Sequence, residues 1–146
     1  MSRTSQPPRV LERMHALMHG LKHHMREAMH ADGEGLGMME ARCLRYFAHH
    51  PGATQSDLVQ HAGRDKAQIA RIVKGLIERE LLCGQPNPAD GRSQVLRVST
   101  KGSALQSKMQ GHEAAFERRL MRGLDADERA TLVALLERLE HNASAR

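Results

Sequence analysis

A chain of 146 residues has the length of one domain and can bury one proper core. Its aromatic content of 2%, with no Trp, argues against sugar-binding clefts and against single-strand nucleic-acid platforms, which stack their ligands on rings. Lys and Arg (22) outnumber Asp and Glu (17) by five, with ten His in reserve, a balance that suits an anionic partner.

Residues 1–8 are polar and close on Pro7-Pro8, which predicts a disordered lead-in. From Arg9 to about Ala31 the residues Leu11, Met14, Met18, Leu21, Met25 and Ala28 recur at alternating steps of three and four, a heptad-like seam along one helix. Asp32-Gly33-Glu34-Gly35 breaks it. A second helix is predicted over Met38 to His49, with Cys43, Leu44 and Phe47 inward, ended by Pro51-Gly52. Thr54-Gln55-Ser56-Asp57 reads as a capping box that opens a short helix, stopped at Ala62-Gly63. Asp65 caps the next, which runs to about Arg79 with Ile69, Ile72, Val73 and Leu76 inward. Two short capped helices joined by a tight glycine turn are the signature of a helix-turn-helix.

Leu81-Leu82-Cys83 and Val95-Leu96-Arg97-Val98 read as two strands around the turn-forming run Gln85 to Ser93, so a hairpin follows the helix pair as a wing. Ser99 caps a long helix through about Arg122, carrying Leu105, Met109, Ala115, Phe116 and Leu120. Asp125-Ala126-Asp127-Glu128 caps a last helix with Leu132, Leu135, Leu136 and Leu139 on one stripe. The fold expected is mainly α with a small β-hairpin: a winged helix-turn-helix over 36–99, flanked by dimerisation helices over 9–35 and 100–146, all in one domain over 9–146. Homodimerisation through the terminal helices is the better way to cover their apolar stripes.

The stretches TQSDLVQHAGRDKAQIARIVKGLIERELL and PNPADGRSQVLRVSTKG resemble the multiple antibiotic resistance regulator (MarR) family of bacterial transcription factors. The likeness covers about Leu36 to Gly102 in detail. Its sharpest part is an Asp-x-Arg wing followed by a strand and a Ser-Thr-Lys-Gly helix start. The resemblance implies a homodimer of winged lobes on pseudo-palindromic DNA, which represses and is released by a small ligand or an oxidant. Four positions depart from the family pattern: Glu80 stands where a Gly usually ends the recognition helix, so that turn is expected to form without the usual left-handed residue. Gly84 replaces a common Arg at the strand end, Gly91 a second wing cation, and Ala41 a bulky residue that lines the effector pocket. Peroxide-sensing members carry a reactive Cys on the first helix, where this chain has none.

The second helix of such a motif lies in the major groove. Here it presents Lys66, Gln68 and Arg71, with Lys74 a turn further on. Gln can read adenine and Arg guanine through bidentate hydrogen bonds, while Lys chiefly meets phosphate. Arg92 at the hairpin tip suits the minor groove, and Asp90, two residues earlier on the same side of a strand, would hold its guanidinium. Thr54, Gln55 and Ser56 open a helix whose first amides can take a phosphate.

The histidines offer a second reading. Glu12, His15, His19, His23 and Glu27 form a row on the first helix, and His112 could add a ligand from the fifth. A solvated polar face explains the row better, since it drifts around the helix and has no thiolate nearby; no metal and no cofactor is expected. Cys43 reads as small core, and the Met residues as adaptable packing. Neither a catalytic order of Ser, His and Asp, nor HExxH, nor a glycine-rich phosphate loop occurs, so no enzyme is expected. No apolar run approaches the roughly 18 residues of a membrane span, and the opening MSRTSQPPRVLERM lacks the apolar centre of a signal peptide. Cys43 and Cys83 are too far apart for a CxxC motif. The expectation is a cytoplasmic, dimeric, ligand-responsive repressor that binds a double-stranded operator. The alternatives are a metal-responsive regulator using the His row, and a helical adaptor or metal-binding protein without DNA.

Overall fold

A computed structural model describes residues 9–33 and 35–145; the predicted lead-in at 1–8 lies outside the described residues. The elements run α1 (Val10–Ala31), α2 (Met38–His49), α3 (Gln55–Ala62), α4 (Lys66–Glu78), β1 (Leu82–Pro86), β2 (Gln94–Val98), α5 (Thr100–Leu120) and α6 (Ala126–Ser144). The described chain divides inside α5 into two compact units, one through Glu113 and one from Ala114.

The first unit owes its form to the faces predicted for α2 and α4. Leu44, Phe47, Ile69 and Leu76 are fully buried, joined by Leu81, Leu82, Leu96 and Met109. Ile72, expected inside, is half-buried at the edge of this core. α4 packs against α2, α3 and β1. Within the single chain the predicted seam of α1 is covered only toward its C-terminal end: Met25 and the neighbouring Met29 are buried, Leu21 and Ala28 are half-buried, and Leu11, Met14 and Met18 are exposed. The periodicity marked an apolar face correctly, but a periodic face does not say how much of its length is covered.

The helix-turn-helix is held by its caps. Thr54 N–H donates to Asp57 Oδ2 (2.8 Å) and Asp57 N–H to Thr54 Oγ1 (3.2 Å), the predicted reciprocal box. These bonds hold the Asp57 carboxyl below its ordinary pKa. Gly63 then reverses the chain with φ 59°, and Asp65 Oδ1 accepts from Ala67 N–H (3.1 Å) to start α4.

The far end of α4 corrects an expectation. Glu80 itself takes the left-handed conformation, φ 59°, in place of the glycine. Leu81 N–H donates to Leu76 O and Glu80 N–H to Ile77 O, both 2.9 Å, the two bonds of a Schellman ending. The Ser-Thr-Lys-Gly start of α5 clamps this turn. Ser99 Oγ donates to the Glu80 carbonyl (2.6 Å) and accepts from Gly102 N–H (3.0 Å), so it caps α5 as predicted. Lys101 Nζ donates to the Arg79 carbonyl (3.0 Å). Gly102 lies so close to Leu81 that a Cβ there would stand 2.2 Å from the Leu81 carbonyl oxygen.

The wing is an antiparallel pair with Leu82 opposite Val98 and Pro86 opposite Gln94. β1 therefore extends three residues beyond the predicted strand, into a stretch that reads as turn; Pro86 is tolerated because it ends the strand. A short pairing that the sequence does not announce ties the wing to the start of α3. Leu96 N–H donates to Ala53 O (2.8 Å), Gly52 N–H donates to Leu96 O (3.2 Å), and Thr54 bridges Val95.

In the second unit Gly123 turns the chain with φ 86°, and α6 starts on a capping box between Asp125 and Glu128. Phe116 is buried, with the Arg119 guanidinium over its ring at 5.1 Å. Along α6 Leu132 is half-buried, while Val133, Leu135, Leu136 and Leu139 are exposed.

Candidate nucleic-acid interface

Three elements contribute to one groove of about 660 Å³: the start of α3, the outer face of α4 and the wing. Thr54, Gln55, Ser56, Lys74 and Arg92, all singled out in the sequence, line it together. They come from positions 38 residues apart, and the pairing of residues 52–54 with β2 is what brings them onto one side. Lys66 and Arg71 are exposed on α4 and Gln68 is half-buried; none of these three lines the groove itself. The groove is not purely cationic, because Glu78 lines it and stands 3.8 Å from Lys74 Nζ. Both side chains are well exposed, so this ion pair contributes little and leaves Lys74 free to exchange partners.

The loop Asn87–Ser93 sets the direction of the wing. Asn87 N–H donates to the Ser93 carbonyl (3.0 Å), while its side chain accepts from Ala89 N–H (3.1 Å) and donates to Ser93 Oγ (3.0 Å). Asp90 Oδ1 accepts from the backbone N–H of Arg92 at 3.0 Å. This corrects the predicted role of Asp90. It lies in the loop, not on a strand, and it fixes the backbone that carries Arg92 instead of the guanidinium. The Arg92 side chain is thereby left exposed for a ligand. Gln94, which sequence reasoning passed over, also lines the groove. The signal was Gly84: a Cβ there would meet Gln94 Oε1 at 2.7 Å, so the small residue makes room for the Gln94 side chain.

A second cavity, of about 560 Å³, lies among α1, α2 and α5, walled by Met25, Met29, Leu36, Ala41 and Met109, with Arg26 and His30 also lining it. Ala41, read as a departure at the effector site, is on its wall, and the small side chain leaves the space open.

The histidine row is not drawn together. His23 Nε2 pairs with Glu27 at 3.2 Å along the helix, and His112 Nε2 donates to Asp32 Oδ2 at 2.7 Å, away from Glu12, His15 and His19. Among the described residues no three His, Cys, Asp or Glu side chains stand close enough to hold a metal ion. Cys43 is buried, which pushes its thiol pKa up, whereas Cys83 is exposed. Among the described residues no helix is long and apolar enough to cross a membrane.

Comparison with known proteins agrees with this geometry. Residues 34–93 match the model of the MarR family. The HTH-type transcriptional repressor NicR of Pseudomonas putida is 30% identical over 90 residues, 62% of this chain and 57% of that protein. The chain spans 57–66% of the length of the curated relatives it matches. A crystal structure of MarR superposes with a TM-score of 0.79 at 21% identity, covering 97% of this chain and 95% of that one. A MepR variant from S. aureus, bound to an oligodeoxyribonucleotide, superposes with a TM-score of 0.65 at 16% identity, covering 94% and 100%. The chain thus shares the winged-helix fold of these structures, and its residues 34–93, the segment that builds the helix-turn-helix and its wing, are similar to the MarR family.

Proposed function

We propose that this protein is a sequence-specific regulator of transcription in the cytoplasm: a homodimeric repressor that binds a pseudo-palindromic duplex operator and is released by a small ligand. The observation that carries this reading is the groove that gathers Thr54, Gln55, Ser56, Lys74 and Arg92 beside α4. In this reading α4 enters the major groove, where Gln68 and Arg71 meet base edges, and Lys66 and Lys74 meet phosphates. The first amides of α3 take a phosphate, and Arg92 reaches the minor groove from a loop that Asp90 has stiffened. The exposed stripes on α1 and α6 support a two-fold dimer, which would set two such lobes on one duplex. The α1–α2–α5 cavity would hold the releasing ligand. The repressor named among the relatives, and the related structure that holds an oligodeoxyribonucleotide, support the same direction.

Selection of bound duplexes from a random pool, followed by a salt titration of the enriched sequence, tests the reading. Enrichment of an inverted repeat, with affinity falling steeply as salt rises, is the expected result. No enrichment, together with a flat salt response, would overturn it.

A further inference from the structure

The outer side of α2 carries a feature that the DNA reading leaves unused. Arg42, Arg45, His49 and His50 from α2, His61 from α3 and Arg64 from the α3–α4 turn line one cleft of about 280 Å³. Among the described residues no carboxylate lines it. Glu113 neutralises Arg45, but neither Arg42 nor Arg64 has an ion-pair partner among the described residues. Asp57, whose charge reaches Tyr46, is committed to the Thr54 cap. Cations held together without a counter-charge repel one another, and an anion seated among them removes that cost.

The cleft also has a flat wall. Tyr46 stacks on His50 with ring centroids 4.3 Å apart and planes 20° from parallel, and His61 stands 4.9 Å on. Burial and the charge of Asp57 push the Tyr46 phenol pKa up, so its hydroxyl remains a donor. Leu58 and Ile69 add apolar lining. We propose that this cleft is a ligand site for a small dianion of the phosphate monoester class, its head held by Arg42 and Arg64 and its body laid on the ring wall. Two unpaired guanidiniums match a doubly charged head better than a single carboxylate, and guanidinium forks suit phosphate oxygens. The site shares no lining residue with the DNA groove. Its occupant would tie α2 to the turn that opens α4.

The test is calorimetry on the full chain without DNA, so its outcome is independent of the regulator reading. The probes are phenyl phosphate, inorganic phosphate and phenol. Phenyl phosphate is expected to saturate with unit stoichiometry, about tenfold tighter than inorganic phosphate, with phenol not saturating. Arg42→Gln and Arg64→Gln should each weaken phenyl phosphate about tenfold, while Arg26→Gln, in the α1–α2–α5 cavity, should leave it unchanged. Circular dichroism confirms that the variants fold. The proposal is overturned if phenyl phosphate does not saturate, if phenol binds as well, or if the folded double variant Arg42→Gln/Arg64→Gln binds like the wild type.

Discussion

The winged lobe and α6 use the same side chain to opposite ends. In the lobe, Leu44 and Leu76 expose 0% of their surface, while on α6 Leu135, Leu136 and Leu139 expose 41–48%. A fully buried Leu stabilises by about 1.5–3 kcal/mol relative to an exposed one, so the lobe has collected what α6 has not. The first three turns of α1 resemble α6 in this, with Leu11, Leu17 and Met18 all about half exposed or more. The lobe is a closed core; the helix ends are apolar surfaces left open, which a second copy of the chain would cover in the proposed dimer.

The largest effect expected from breaking this contrast is on assembly. Leu135→Asp with Leu136→Asp should convert a dimer into monomers by light scattering; a folded dimer in the double variant would show that α6 is not the interface. Next is the lobe itself. Leu76→Ala should cost about 2–5 kcal/mol in chemical denaturation, with no change in oligomeric state beyond that of partial unfolding. Destabilisation of less than about 1 kcal/mol would mean that the lobe core is not closed.

Two glycines on α5 sharpen the picture with opposite signs. Gly102→Ala must push against the Leu81 carbonyl and should cost about 1–3 kcal/mol. Gly111, with nothing within 4 Å of a Cβ, should gain roughly 0.5–1 kcal/mol as Ala. Equal effects in thermal melts would contradict the clamp at the end of α4. The smallest change is Glu80→Gly, which relieves a left-handed residue and should raise stability by up to about 1 kcal/mol, offset in part by the freer unfolded chain.

The sequence made the local features legible. α2 was bounded correctly at Met38 and His49, and the boxes at Thr54–Asp57 and Asp125–Glu128 close as their spacing implied. These are contacts within four residues, where side-chain chemistry decides. What stayed hidden depends on chain segments meeting from afar. The Thr54–Val95 bridge joins residues 41 apart, and without it the groove could be suspected but not assembled. Glu80 shows the same limit, since its strained turn is held by Ser99 and Lys101, some twenty residues on. The cationic cleft has no sequence signature, because Arg42, His61 and Arg64 share no pattern until α2 and α3 are packed together. At Asp90 the expected partner was the Arg92 guanidinium and the observed one is the Arg92 backbone N–H, because the chain turns where a strand was expected.

In the proposed complex the loop-mounted Arg92 and the helix-mounted Arg71 read two different grooves of one operator. The direct measurement is a titration, at fixed salt, of the wild type, Arg71→Ala and Arg92→Ala against a selected operator and a copy whose A·T flanks are replaced by G·C. Arg71→Ala should lose about 1–3 kcal/mol on both duplexes and relax preference at one or two positions in each half-site. Arg92→Ala should lose a comparable amount on the A·T-flanked operator and much less on the G·C-flanked copy, since the narrow minor groove that attracts it is gone. If Arg92→Ala binds both duplexes as the wild type does, the wing is not a DNA contact and the two-groove recognition is contradicted.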